Sequence, residues 1–99
     1  MMFGSLSDRM AHHSDLIKAI RSNDLMYVTE LLNNNKADPT MGNNEGILVA
    51  IKENNIAMID LLLSNHDVAA TVNWDYLMEE CDNKITRQYI AKKRTFFKF

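Results

Sequence analysis

Apolar residues fall into short clusters, and two of the clusters say nearly the same thing. "LIKAIRSNDLMYVTELL" begins at Leu16 and "ILVAIKENNIAMIDLLL" at Ile47, 31 residues later. The match runs position by position: Leu16 with Ile47, Ala19 with Ala50, Ile20 with Ile51, Asn23 with Asn54, Val28 with Ile59 and Leu31 with Leu62. A fixed period between 20 and 50 residues is the mark of a stacked-repeat architecture. Within each unit the apolar positions split in two. Leu16, Ile17, Ala19 and Ile20 share one helical face. Leu25, Val28, Leu31 and Leu32 then follow at spacings of three and four, the pattern of a second amphipathic helix.

Between the halves stand "RSND" and "KENN". Asn23 and Asn54 occupy the point of reversal, and asparagine enters the left-handed conformation more readily than most residues. Ser14-Asp15 reads as a helix start, because a serine side chain can cap free amides. Each unit is thus predicted as helix, tight turn, helix. The units are joined by "NNNKADPTMGNNEG", whose Pro39, Gly42 and Gly46 are turn chemistry. The expected fold is all-α, a short stack of antiparallel helix pairs joined by projecting turns.

Expected organisation is an N-terminal extension or capping segment over 1–13, a repeat domain over 14–91 and a basic aromatic tail over 92–99. The units of the repeat domain are about 14–44, 45–73 and 74–91. The third is the weakest. "WDYLMEECDNKITRQYIAKK" places Trp74, Leu77, Met78, Cys81 and Ile85 on one face, as one long helix or as a degenerate pair turning at Asp82-Asn83. An offset of 29 pairs Asn54 with Asn83 and favours the pair. Leu6, Met10 and His13 either extend the first helix backward or form a flap. About three units are needed to bury such apolar faces. An uncapped end would therefore become a binding surface or a seam for a homo-oligomer.

These residues carry a resemblance. "AIRSNDLMYVTELLNNNKADP" follows the pattern A-A-x-x-G-H-x-x-V-V-x-x-L-L-x-x-G-A-D from Ala19 to Asp38, with Lys36 as one extra residue, and "GILVAIKENNIAMIDLLLSNHDV" follows the corresponding P-L-H-L-A-A-x-x-G pattern from Gly46. The chain resembles the ankyrin repeat family over roughly residues 14–73. It departs from it in lacking the T-P-L-H tetrapeptide and in placing asparagine where the family has its inter-helix glycine. The resemblance implies recognition of a protein partner through the concave helix face and the projecting turns. On this chain those positions are Arg21, Ser22, Lys52 and Glu53 near the inter-helix turns, and Thr40, Met41, Asn43, Asn44 and Glu45 on the first projecting turn. "HDVAATVN" is the second projecting turn, and its Val68 and Val72 suggest that part of it is covered.

Composition adds limits. The chain has 99 residues, 46% hydrophobic and 24% charged, with net charge −2, the profile of one globular domain that is no polyanion binder as a whole. A single cysteine, Cys81, gives no disulfide framework and favours a reducing compartment, hence a cytoplasmic protein. No apolar run approaches the length that spans a bilayer, and no membrane partner is expected.

Candidate chemistry is thin. His12 and His13 point to different sides of a helix, bind one metal poorly, and are expected to face solvent. His66 sits at a turn and reads as structural. Cys81 lies on an apolar face and reads as a packed thiol. Glu79, Glu80 and Asp60 have no identifiable acid–base partner. No catalysis, cofactor or metal is expected. The C-terminal "KKRTFFKF" interleaves Lys92, Lys93 and Arg94 with Phe96, Phe97 and Phe99. Its rings should dock somewhere: back on the last helices, in a partner's groove, on nucleic acid with lysines on phosphate, or, least of all, on a membrane surface. The leading expectation is a small non-catalytic adaptor or inhibitor. A nucleic-acid-associated factor and a self-assembling structural subunit are the other readings.

Overall fold

The computed structural model describes residues 6–96, and side-chain surroundings from residue 11 onward. These residues form seven helices and, among them, no strand: α1 Leu6–Arg21, α2 Leu25–Asn33, α3 Met41–Lys52, α4 Ile56–Leu63, α5 His66–Thr71, α6 Trp74–Glu80 and α7 Lys84–Phe96. Helices α1, α3 and α6 pack side by side as an inner layer. α2 folds back on α1, α4 on α3 and α7 on α6 to make an outer layer. The core runs between the layers. Leu16, Ile20, Ile47, Ile51 and Leu77 supply it from the inner side, and Val28, Leu31, Met58, Ile59, Leu62 and Ile90 from the outer side, each no more than 2% exposed. No helix among the described residues is long and apolar enough to cross a membrane.

The period of 31 has a physical counterpart in the turns. Asn23 and Asn54 are both left-handed, at φ 57° and 54°. The next residue caps the outer helix in each unit: Asp24 accepts from the Tyr27 amide and Asn55 from the Met58 amide, both at 3.1 Å. Each turn closes by the same backbone bond, Asp24 N to the Ala19 carbonyl at 2.9 Å and Asn55 N to the Ala50 carbonyl at 3.1 Å. Side chains then tie one turn to the next. Asn55 Nδ2 donates to Asn23 Oδ1 at 2.7 Å, and Thr86 Oγ1 donates to Asn54 Oδ1 at 2.9 Å.

Several expectations are corrected. Ser14-Asp15 does not start a helix, because α1 runs unbroken from Leu6. No glycine or proline interrupts the chain there, and of the two alternatives for Leu6, Met10 and His13 the structure has the backward extension of the first helix. The second projecting turn is mostly helix α5. Asn65 caps it by accepting from the Asp67 and Val68 amides at 3.0 and 3.2 Å, and Val68, Ala69 and Val72 are buried against the stack. Lys92, Lys93, Arg94 and Phe96 belong to α7 rather than to a tail. Phe97 and Phe99 lie outside the described residues.

The third unit is a helix pair, but its register differs by one residue from the offset of 29. Asn83 is not left-handed. It is the cap of α7, accepting from the Ile85 and Thr86 amides at 2.8 and 3.2 Å. Aligning cap with cap, Asn55 with Asn83, puts Thr86 at the place of Met58 and Ile85 at that of Ala57. Thr86 is accordingly buried and Ile85 is 69% exposed, off the apolar face predicted for it.

Candidate binding cleft

The most irregular backbone lies where the first two units join. Gly42, Asn43 and Asn44 are all left-handed, with φ of 67°, 61° and 62°, and α3 becomes right-handed only from Glu45. The sequence "MGNNEG" permits this. Glycine has no Cβ to clash, and asparagine enters the region more readily than other side chains, for which it costs about 1–2 kcal/mol. Neighbours hold the turn in place. Thr40 donates its amide and hydroxyl to Asp38 Oδ1 at 3.0 and 2.7 Å. The Asn44 amide donates to the Thr40 carbonyl at 2.9 Å. His13 Nε2 meets Glu45 Oε1 at 2.9 Å, a bond in which the carboxylate accepts.

A Cβ on Gly42 would stand 3.1 Å from Glu45 Oε1 and 3.3 Å from Glu45 Cβ, on a backbone at φ 67°. Gly42→Ala is therefore expected to cost about 1–2 kcal/mol, seen as a lower urea midpoint at unchanged slope. A midpoint at or above that of the wild type would mean that the left-handed turn is not required.

This turn forms one wall of a cleft of about 510 Å3. Asn43, Asn44 and Leu48 line it on the α3 side, and Thr71, Asn73 and Tyr76 on the side of α5 and α6. Asn44 Nδ2 donates to Thr71 Oγ1 at 3.2 Å, tying the two walls together. Asn44 Oδ1 is buried and, among the described residues, has no hydrogen-bond partner. Tyr76 is 45% exposed, its backbone fixed by the Asn73 cap at 3.1 Å. No carboxylate, imidazole, thiol or cation is among the lining residues. The lining offers amides, a hydroxyl, a phenol and an apolar floor, which suits recognition of a chain segment by hydrogen bonds and one anchored side chain.

The residues expected to bind a partner divide between the start of α3 and the turns that follow α1 and α3. Asn43 is exposed and lines the cleft. Asn44 lines it too, but it is only 8% exposed and its amide is already engaged, so it braces the site instead of presenting a free contact. Thr40 and Met41 are half-buried, and Glu45 is held by His13. Arg21, Ser22, Lys52 and Glu53 are exposed at the inter-helix turns, and Lys52 Nζ lies 3.7 Å from Glu80 Oε1. Glu45 and Lys52 are seven residues apart on α3, about 10 Å at 1.5 Å per residue, so the two groups are separate surfaces. Thr71 and Asn73 lie in the second projecting turn, which sequence reasoning pointed to only as a segment, and Tyr76 it missed. An aromatic residue three positions after a capping asparagine was the available signal.

The other singled-out residues are also placed. His12 and His13 are half-buried rather than solvent-exposed, and Glu45 of α3 lies against His13. His66 is the exposed first residue of α5. Cys81 is buried, its thiol donating to the Leu77 carbonyl at 3.2 Å, and burial pushes the thiol pKa up. Asp60 accepts from the Tyr89 hydroxyl and pairs with Lys93 Nζ at 3.0 Å. The hydrogen bond from Tyr89, then Lys93, holds the Asp60 carboxyl below its ordinary value. Burial first, and the bond to Asp60 second, pushes the Tyr89 phenol well up. Arg94 Nη2 meets Asp75 Oδ1 at 2.8 Å, so two of the C-terminal cations fasten α7 to the body.

No family model matches the chain, and neither a curated protein nor a solved structure matches it.

Proposed function

We propose that this chain is a small, non-catalytic ankyrin-like module, an adaptor or inhibitor that binds a protein partner along the inner layer and its connecting segments. The observation that carries the reading is the cleft between the Gly42–Asn44 turn and the start of α6. It is concave, lined by residues suited to binding, and tied across by Asn44 and Thr71. A preformed surface of that kind loses little conformational freedom on association. Further support comes from the paired turns at Asn23 and Asn54, linked in series by side-chain hydrogen bonds. They hold the framework rigid while Arg21, Ser22, Lys52 and Glu53 stay exposed. The bound partner presents an extended segment whose backbone meets Asn43, Asn73 and Thr71, with one side chain against Tyr76.

The test is affinity capture from the native source after nuclease treatment, with the wild type beside Tyr76→Ala. Tyrosine anchors at interfaces contribute about 2 kcal/mol, roughly a thirtyfold change in affinity. A protein retained by the wild type and lost from Tyr76→Ala, with an unchanged thermal melt, is the expected result. Retention by Tyr76→Ala and by Asn43→Ala alike, or capture that disappears with nuclease, would overturn the reading.

A further inference from the structure

A second concavity lies on the opposite layer, and its chemistry is different. α4 and α7 diverge to leave a groove of about 510 Å3. Ile56 and Ala57 line it from α4, and Tyr89 and Phe96 from α7. Phe96 is 77% exposed, an apolar ring held in water at the groove's edge. Lys92 and Lys93 complete the wall. Lys93 Nζ is 5.8 Å from the Tyr89 ring centre and 5.9 Å from that of Phe96, and it is paired with Asp60. Lys92 is exposed, and no ion pair is found for it among the described residues.

The charge on α7 is one-sided. α7 carries Lys84, Arg87, Lys92, Lys93 and Arg94 and no acidic residue, in a chain whose net charge is −2. The rest of the molecule is therefore strongly acidic. A basic helix in an otherwise acidic chain attracts a short anionic ligand. Nucleic acid carries one charge for about every 1.7 Å of duplex axis, more than one short helix can neutralise, and Asp60 stands in the groove itself. An acidic peptide places only a few charges, and they can be spaced around one apolar side chain.

We propose that the α4–α7 groove binds a short acidic peptide segment, with a leucine or phenylalanine side chain inserted between Ala57 and Phe96 and carboxylates on Lys92 and Lys93. This surface is separate from the cleft on the inner layer. The ligand carboxylate takes the unpaired Lys92 first and shares Lys93 with Asp60. Binding weakens with salt, as exposed charge pairs are screened, but the inserted side chain leaves a residual affinity that salt does not remove.

The probe is a fluorescein-labelled DELLFDE peptide, followed by anisotropy with the full chain. The uncharged NQLLFNQ peptide and a single-stranded oligothymidine serve as competitors. Binding is expected to weaken about tenfold on Lys92→Glu, through charge reversal, and by a similar factor on Ala57→Gln, which fills the groove from an exposed helix position. Both variants are checked by circular dichroism and thermal melting. Tyr76→Ala, in the other cleft, is expected to leave the affinity unchanged. No binding by the wild type, equal binding of NQLLFNQ, or indifference to both groove substitutions would overturn the proposal. So would loss of binding on Tyr76→Ala. Oligothymidine that displaces the peptide and binds more tightly would assign the basic helix to nucleic acid instead.

Discussion

Ile51→Ala is expected to cost about 2–5 kcal/mol, a large part of the roughly 5–15 kcal/mol that holds a domain of this size together. Ile51 is 1% exposed on α3, the middle helix of the inner layer, which packs against α1, α4 and α6. In a stack, each unit is stabilised by its own folding and by its interfaces with its neighbours. A cavity in the middle unit weakens both interfaces at once, whereas one at an end weakens one. The repeat partner Ile20, on α1, is as completely buried, but among the described residues α1 packs against one neighbouring inner helix, α3. Ile20→Ala is therefore expected to fall at the lower end of the same range. Ile85→Ala is the control: it removes the same atoms from a residue 69% exposed and should stay within about 0.5 kcal/mol. Urea unfolding followed by circular dichroism gives all three. Equal losses for Ile51 and Ile85 would mean that the third unit is registered differently from the structure described above.

That contrast also shows where the sequence was legible. Units one and two could be read because the same physical demand recurs at the same spacing. Leu16 and Ile47, Ala19 and Ala50, Ile20 and Ile51, Val28 and Ile59 are all buried as matched pairs. Asparagine at the turn was legible because few other residues accept a positive φ. The third unit was misread by one residue because Asn83 looks like Asn54 in sequence but caps a helix. One residue type serves both purposes, and only the geometry on either side separates them. Helix α5 was hidden because six residues carry too little periodicity to distinguish a covered turn from a short helix. The cleft was half legible. Asn43 and Asn44 were suggested by their place on a connecting segment. Tyr76 and Thr71 come from another segment about thirty residues on, and no local pattern announces that the two meet. The burial of Asn44 was equally unforeseeable, since it depends on Thr71.

The turn ladder gives the sharpest test of how the units are joined. Asn54 has two functions: it accepts φ 54°, and its Oδ1 takes the hydrogen bond from Thr86 at 2.9 Å. Asn54→Ala removes both. The left-handed backbone then costs about 1–2 kcal/mol, and Thr86, 1% exposed, keeps a buried hydroxyl without an acceptor, at about 1–3 kcal/mol more. Asn54→Gly removes only the second function, because glycine takes a positive φ without strain. It is therefore expected to be less damaging than Asn54→Ala by the backbone part alone. Thr86→Val, made in the Asn54→Gly background, deletes the stranded hydroxyl while nearly keeping its volume, and should recover part of the loss. The same Thr86→Val change in the wild type strands the Asn54 carbonyl, which is exposed to water and can be solvated. The two effects of Thr86→Val should thus have opposite signs, a coupling that a double-mutant cycle reads directly. If Thr86→Val has the same effect in both backgrounds, the bond between the second turn and α7 contributes nothing. The third unit would then be held by the apolar contacts of Leu77 and Ile90 and by the ion pairs Lys52–Glu80 and Asp60–Lys93.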